Sequence, residues 1–337
     1  MELFQAIQTA LRICPREQHY YRSVRLMPGS SGRHDRLCAT DGVCTIVCEV
    51  PAQNLPNALL SADLLKRALA GGVAPMTLTA SPFGWVIGQV GACTYQFPGI
   101  DFTNYPGIPD IPPTVGLIYA EDIARVVLAA EKARGELDLI HFAPNFLEST
   151  DRAQLIRLEH PMPFDLVVPA RLFTGWTTGL VEVARSEHLA FFTNFGAGGA
   201  EIRFATIQHN VFPHTEDIPA EHEGPWVLLP TAAFYAAVRR GAAASKSHIV
   251  ELRIDQDKVL LRALVDDRAQ GDKVFLAEVP VLHGAPEEEV VLLSGKILAR
   301  LLSKVETPNV KMGYGGPLRP IRLESGSWFA LLWQMTL

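Results

Sequence analysis

Hydrophobic and polar residues follow one another along this chain in a pattern that recurs three times. Each recurrence begins with a short amphipathic helix and continues through strands in which apolar and polar residues alternate. An apolar strand then leads directly into a second helix, and this junction is the clearest repeated feature. The junction occupies residues 59–65, 167–173 and 292–298.

Two shorter markers also recur. A Thr-Asp pair that follows a small residue occurs at positions 39–41 and 149–151, and an aromatic residue precedes proline at 105–106 and 212–213. A repeat this long indicates repeated domains and not the stacked arms of a solenoid. We therefore expect three domains, 1–113, 114–222 and 223–337, each of an ordinary domain size.

The periodicity predicts two helices in every domain, and short strands with hairpin turns in between. Short alternating strands favour antiparallel sheets, and helices that arrive in pairs beside them favour an α+β fold. The predicted helices are residues 2–16, 62–71, 119–135, 169–178, 230–246 and 294–304.

Charge is distributed unevenly between these helices and the rest of the chain. The helices hold 14 of the 30 Lys and Arg residues but 5 of the 36 Asp and Glu residues, although the whole chain has a net charge of −6. The basic residues are Arg12, Arg16, Lys66, Arg67, Arg125, Lys132, Arg134, Arg171, Arg239, Arg240, Lys246, Lys296, Arg300 and Lys304.

Two interpretations of the basic helices stay open at this point. In the first, the helices present solvated faces, and their cations lie near the carboxyl ends because the helix dipole favours positive charge there. Alternatively, the helices share one positive surface that attracts a phosphate backbone without reading base sequence.

The composition is ordinary for a globular protein, with 48% hydrophobic and 20% charged residues. No apolar run reaches the length of a membrane span, and the first residues do not form a signal peptide, so we expect a cytoplasmic protein. All five cysteines, Cys14, Cys38, Cys44, Cys48 and Cys93, fall in the first domain without a CxxC pair. We expect reduced core thiols and no metal site.

No motif in the chain assembles a catalytic site. The glycine-rich stretch at 196–199 precedes a strand and not a helix, so it predicts a hairpin turn and not a dinucleotide loop. The histidines are scattered, and no nucleophile, base and orienting group occur together. We expect neither catalysis nor a cofactor, and an enzyme with a site that no motif reveals is the less favoured alternative.

Several stretches, taken in order, resemble the bacterial DNA polymerase sliding clamp, the beta processivity factor. They are residues 39–42 (Ala-Thr-Asp-Gly), the three strand-to-helix junctions, residues 212–219, residues 234–240 and the terminus 331–337. The resemblance covers essentially the whole chain. It implies three DNA-clamp domains per chain and a head-to-tail homodimeric ring around double-stranded DNA, with the basic helices inside.

The resemblance also implies a cytoplasmic, nucleoid-associated protein that binds a DNA polymerase and a clamp loader through short peptide motifs. The family's peptide pocket lies between the second and third domains. Its counterparts here are Thr150, Arg152, Gln154, Leu155, Pro213, Ile218, Leu331, Trp333, Met335 and Leu337.

The chain departs from the family pattern at this pocket. Arg152-Ala153-Gln154 stands where the family has Gly-His-Arg, and Trp333-Gln334 stands where it has Met-Pro. Two alternatives also stay open, one for the pocket residues and one for the whole protein, whose predicted helix at 169–178 carries a single cation, Arg171. Leu331, Trp333 and Met335 are an alternating core face that ends the chain, or the protein is a clamp-fold scaffold or decoy that binds such peptides without encircling DNA.

Overall fold

The computed structural model describes residues 1–15, 21–29, 34–70, 76–100, 103–130, 137–196, 199–209, 212–215, 217–218, 223–265, 273–316 and 319–335. The described chain divides into two compact units. Unit 1 comprises Met1–Ala124 and Met162–Val211, and unit 2 comprises Arg125–Pro161 and Phe212–Leu337. The predicted domain boundaries after residues 113 and 222 stay a prediction, because a compact unit can combine one domain with part of another.

The helices confirm most of the predicted positions. They are α1 (Leu3–Ile13), α2 (Ala62–Ala68), α3 (Ala120–Val127), α4 (Thr231–Ala244) and α5 (Gly295–Leu302). Among the described residues, no helix is both long and apolar enough to span a lipid bilayer.

The helix predicted over residues 169–178 is wrong in type and length. The segment forms a single 3-10 turn, Ala170–Phe173. Pro169 starts it with an extended backbone, and Gly175 follows it with φ +83°, a conformation that a continuing helix does not contain. Arg171 therefore lies on a short turn and not on a helix face.

Unit 1 contains one eight-stranded and one three-stranded antiparallel sheet. The large sheet has the order β4-β1-β2-β3-β15-β14-β13-β8, and the small one β5-β6-β7. The strands of these two sheets are β1 (Ser23–Met27), β2 (Asp35–Thr40), β3 (Cys44–Val50), β4 (Ala58–Ser61), β5 (Met76–Ala80), β6 (Trp85–Val90), β7 (Cys93–Pro98), β8 (Thr114–Tyr119), β13 (Leu180–Arg185), β14 (Leu189–Gly196) and β15 (Gly199–Thr206). Unit 1 also contains β12 (Leu166–Pro169), which belongs to neither sheet.

Unit 2 has a sheet of order β9-β10-β11-β24-β23-β22-β16-β20 and a four-stranded sheet β19-β18-β17-β21. These strands are β9 (Leu139–Ala143), β10 (Phe146–Thr150), β11 (Gln154–Glu159), β16 (Trp226–Pro230), β17 (Ile249–Ile254), β18 (Lys258–Val265), β19 (Lys273–Pro280), β20 (His283–Ala285), β21 (Glu289–Ser294), β22 (Asn309–Gly313), β23 (Ile321–Ser325) and β24 (Trp328–Leu332). The strand pairings whose register is described within each unit are antiparallel, which confirms the α+β prediction.

Small residues bring α4 and α5 close together over β17. A Cβ atom added to Gly295 would lie 2.9 Å from the Cβ of Ala242 and 2.7 Å from Val250. Glycine at the start of α5 therefore permits a helix contact that a larger residue would push apart. The alanine-rich sequence of α4 serves packing of this kind, as its pattern indicates.

The cysteine and glycine predictions have mixed outcomes. Cys14, Cys38, Cys44 and Cys48 are free and buried, as expected of core thiols, but Cys93 is exposed on β7 and does not belong to the core. The glycine-rich stretch connects two paired strands, with Gly196 opposite Gly199, which confirms a hairpin.

Candidate partner-binding and nucleic-acid surfaces

The tight turn between β10 and β11 carries three residues predicted for the partner pocket. The Thr150 hydroxyl donates to the Gln154 carbonyl oxygen at 2.7 Å and accepts from the Arg152 backbone N–H at 3.2 Å. Asp151 Oδ1 accepts from the backbone N–H groups of Ala153 and Gln154, each at 3.0 Å. This network holds Arg152 at φ +74° and leaves its side chain exposed.

The side chain of Gln154 stabilises this turn through buried hydrogen bonds. It is fully buried, and its Nε2 donates to Asp151 Oδ2 at 2.9 Å and to the Ala129 carbonyl oxygen at 3.4 Å. Within the described residues its Oε1 has no hydrogen-bond partner. Gln154 therefore supports the backbone of the site and does not project from it.

An apolar cluster lies beside the turn and unites three more predicted pocket residues. Leu155 on β11 is directly opposite Leu331 on β24. Both are buried, together with Phe329, and the half-buried Ile218 packs against them. Ile218 is thus the half-buried member of a cluster whose strand residues are almost fully covered.

Phe329 is a member of this cluster that the sequence did not predict. The Arg322 guanidinium lies 3.9 Å from the centre of the Phe329 ring, and the Arg157 guanidinium lies 5.5 Å from it. Both arginines are buried, so their cations stabilise the ring more strongly than exposed cations would. Phe329 is thus held in one position beneath Leu155 and Leu331.

A buried ionic network fixes the segment that leads to Ile218. Arg157 donates from Nε and Nη2 to Glu148 Oε2 at 3.0 and 2.9 Å, and from Nη2 to the Thr215 carbonyl oxygen at 2.8 Å. The Thr215 hydroxyl donates to Glu148 Oε1 at 2.5 Å, and His141 Nδ1 lies 3.1 Å from the same oxygen. Because Thr215 is three residues before Ile218, the network positions one wall of the cluster.

The carboxyl group of Glu148 stays ionised in this network. Burial alone would raise its pKa, but the hydrogen bonds from His141 and Thr215 and the charge of Arg157 hold the pKa below its usual range. Sequence analysis missed Glu148, Arg157 and Thr215, because 58 and 67 residues separate Thr215 from its two partners.

The remaining predicted pocket residues lie at the surface or outside the described residues. Trp333 and Met335 are each 39% exposed, whereas Leu331 is buried, so the three do not form one buried face. The Trp333 backbone N–H donates to the carbonyl oxygen of Ala153 in the turn. The Met335 backbone N–H donates to the carbonyl oxygen of Leu292 on β21. Pro213 is exposed, and Leu337 lies outside the described residues.

The predicted cations of unit 1 differ in their surroundings. Lys66 and Arg67 are exposed in the last turn of α2. Arg12, at the end of α1, donates to the Thr174 carbonyl oxygen at 3.5 Å. Arg171 Nε donates to Asp41 Oδ2 at 2.9 Å, so its charge is partly neutralised.

Unit 2 contains most of the other predicted cations. Arg239, Arg240, Lys246, Lys296 and Lys304 are exposed on or next to α4 and α5. Arg300 is half-buried, and Arg125 in α3 pairs with Glu306. Arg16, Lys132 and Arg134 lie outside the described residues. Each unit thus presents exposed cations on its helices.

Comparison with known proteins relates this fold to solved structures. No protein-family model matches the chain, and the comparison with curated proteins found no match. The crystal structure of the beta subunit of DNA polymerase III from Thermotoga maritima matches with a TM-score of 0.79 and 14% identity, covering 100% of this chain and 97% of that one.

Two further clamps match over similar lengths. The beta subunit from DNA polymerase of Streptococcus pyogenes has a TM-score of 0.76 and 15% identity over 99% of this chain and 97% of that one. The Helicobacter pylori beta clamp bound to a DNA ligase peptide has a TM-score of 0.73 and 13% identity over 99% and 98%. Along its whole described length, the chain has the fold of a bacterial DNA polymerase sliding clamp.

Proposed function

We propose that this protein is a DNA sliding clamp that encircles duplex DNA as a homodimeric ring and tethers a DNA polymerase and other partners. The observation that carries the proposal is the match of nearly the entire chain to sliding clamps of nearly equal length. The exposed cations on α2, α4 and α5 support it, because a surface of this kind attracts phosphates without reading base sequence.

Retention on DNA of different topology tests this proposal directly. A homodimer has a mass of about 74 kDa, twice the chain mass of 36.9 kDa, and closes a symmetric ring. Once loaded, it stays on closed circular DNA and leaves the circle after linearisation. A monomer at micromolar concentration that is never retained on circles contradicts the proposal.

Charge reversal tests whether the helix cations contact DNA. We expect the triple substitution Arg239→Glu, Arg240→Glu and Lys246→Glu to weaken DNA association, and to flatten its dependence on salt concentration by about one unit of slope per lost phosphate contact. Fluorescence anisotropy with a labelled duplex at several salt concentrations measures both effects. Unchanged binding at low salt places these cations away from DNA.

Partner proteins bind, on this proposal, through a short apolar peptide at the cluster of Leu155, Ile218, Phe329 and Leu331. We expect Ile218→Ala to weaken binding of such a peptide roughly tenfold, because a half-buried anchor contributes about 1–2 kcal/mol. The matched control is Ile108→Ala, which alters a half-buried residue packed on the unit 1 core. Equal affinities for the two variants, measured by calorimetry, contradict this site.

A scaffold that binds such peptides without encircling DNA is the second candidate. One observation favours it: the second helix of the middle repeat is reduced to a 3-10 turn, and its Arg171 is paired with Asp41. Peptide binding by a monomer that circular DNA does not retain distinguishes the scaffold from the clamp. The absence of catalysis stays a prediction for either candidate.

A further inference from the structure

A polar cavity of about 180 Å³ lies in unit 2, where the hairpin of β23 and β24 approaches the ends of two helices. Arg125 from the last turn of α3 and Lys304, two residues after α5, both line it. The two cations lie 179 positions apart in the sequence. The fold brings them to one concave site.

The cavity combines cations with hydroxyl groups. Thr307 Oγ1 donates to the Asn309 carbonyl oxygen at 2.5 Å and lies 2.8 Å from Ser325 Oγ, so these two hydroxyls are engaged with each other. Ser327 lines the same cavity from the exposed hairpin turn. A guanidinium, an ammonium and a nearby hydroxyl form a donor set that suits phosphoryl oxygens.

A carboxylate occupies part of this donor set. Glu306 forms an ion pair with Arg125, although the Glu306 side chain is 73% exposed and that of Arg125 is 21% exposed. Within the described residues Lys304 forms no ion pair and is exposed. An exposed carboxylate that pairs with an arginine is held weakly, so an incoming anion can replace it at little cost.

We propose that this cavity is a phosphate subsite and that the Glu306 carboxylate is its internal competitor. A phosphoryl group takes the place of the carboxylate on Arg125 and adds a contact to Lys304. The phosphodiester backbone of duplex DNA is one source of that group, and this part of the inference rests on the proposed clamp function. Free phosphate presents the same chemistry.

A gain of affinity is the most direct test, because it does not arise from misfolding. We expect Glu306→Gln to tighten binding of inorganic phosphate and of a short labelled duplex by about two- to fivefold, the range that an exposed ion pair supports. The matched control is Glu288→Gln, which makes the same change in net charge and also releases an arginine, Arg253, from an exposed ion pair in unit 2.

The second variant series removes the cation. We expect Arg125→Gln to weaken both ligands, and Glu306→Gln to have no further effect in that background, because the competitor and the ligand share Arg125. Phosphate titrations followed by NMR, and duplex titrations followed by anisotropy, measure these effects. If Glu306→Gln and Glu288→Gln behave alike with both ligands, the subsite is overturned.

The two ligands also identify the source of the phosphoryl group. A specific gain for phosphate and duplex together supports contact with the DNA backbone. A gain for phosphate alone supports the subsite but overturns DNA as its ligand. A protein that is never retained on circular DNA, yet shows the phosphate gain, refutes the clamp proposal and leaves the subsite intact.

Discussion

The two Thr-Asp turns of the molecule have the same backbone network but different surroundings. In unit 1, the Thr40 hydroxyl donates to the Cys44 carbonyl oxygen at 2.8 Å. Asp41 Oδ1 accepts from the Cys44 backbone N–H at 2.7 Å. Thr150 and Asp151 repeat these bonds in unit 2 with nearly equal distances. Thr and Asp thus determine the turn, whatever packs beside it.

The apolar residues near the two turns form buried clusters of different size. In unit 1, Tyr105 is buried in a cluster that includes Val47, Ile202 and Phe204, and its hydroxyl donates to the Ser23 carbonyl oxygen at 3.2 Å. In unit 2 the cluster formed by described residues is smaller, with Leu155, Phe329 and Leu331 buried and the half-buried Ile218 packed against them. The repeated turn is therefore accompanied by buried apolar clusters of different size in the two units.

Each unit also contains a buried arginine in an ion pair, Arg203 in unit 1 and Arg157 in unit 2, and substitution of these arginines gives the largest expected effects on stability. We expect Arg157→Met to destabilise unit 2 by about 3–5 kcal/mol, because it leaves Glu148, whose side chain is 0% exposed, without its cation. Arg203→Met should destabilise unit 1 less, because the side chain of its partner Glu201 is 13% exposed and keeps some hydration.

Hydrogen exchange read separately in the two units measures these losses. The double substitution Glu148→Leu with Arg157→Met serves as control and should recover most of the lost stability, since it leaves no buried charge. A greater loss for Arg203→Met than for Arg157→Met would contradict the proposed difference between the two units.

Low pH should destabilise both units, by an amount between the effects of the arginine substitutions and those of the turn substitutions. Burial opposes ionisation of Asp35 in unit 1, but backbone hydrogen bonds from Gly29, Gln53 and Leu55 lower its pKa, as side chains lower that of Glu148 in unit 2. A carboxyl whose pKa is lowered by folding stabilises the fold above its unfolded pKa. That contribution is lost as the pH falls through the folded pKa, by up to about 1.4 kcal/mol per pH unit.

Removal of either carboxyl should therefore flatten the acid limb of the stability curve in its own unit. We expect Asp35→Asn to act on unit 1 and Glu148→Gln on unit 2, measured by hydrogen exchange between pH 6 and the acid transition. The Asp257→Asn variant, which alters an exposed acid in unit 2, is the control. A slope in unit 2 that Glu148→Gln leaves unchanged would show that Glu148 does not titrate with unfolding.

Substitution of the residue that follows each Thr-Asp pair should have the smallest effect on stability. Arg152 in unit 2 has φ +74°, whereas unit 1 has Gly42 with φ +91°. We expect Arg152→Gly to stabilise the protein by about 1 kcal/mol, because glycine adopts this conformation without the steric cost of a Cβ atom. Gly42→Ala should destabilise it by more, since the new Cβ would also lie 3.0 Å from the Tyr21 ring.

Thermal unfolding of both variants, with Ala153→Gly as control, measures these changes. Destabilisation by Arg152→Gly would mean that the arginine side chain stabilises the fold more than its backbone strain destabilises it.

Local sequence signals predicted the features that depend on neighbours in the chain. The positions of five of the six predicted helices and the hairpin at Gly196 follow from residue type and periodicity. The 3-10 turn at Ala170–Phe173 was missed because an apolar strand-to-helix junction looks alike whether the helix continues or not. Phe329, Glu148 and Arg157 were missed because their roles arise from contacts between distant strands.

The site residues were predicted unevenly for the same reason. Leu155, Ile218 and Leu331 do meet in one cluster, as the resemblance implied. The resemblance did not reveal that Met335 lies next to β21, or that Arg125 pairs with Glu306, since both depend on side chains and loops particular to this chain.

The side chains of the Thr-Asp pair hold the turn, and this has an evolutionary consequence for the residue that follows them. Thr150 and Asp151 make the hydrogen bonds, so the residue displayed after them can change while the turn persists. A single nucleotide substitution converts any GGN glycine codon into a CGN arginine codon, at a cost to stability of about 1 kcal/mol. A protein of this architecture can therefore acquire a charge beside its apolar cluster in one step, while the hydrogen bonds of the turn stay unchanged.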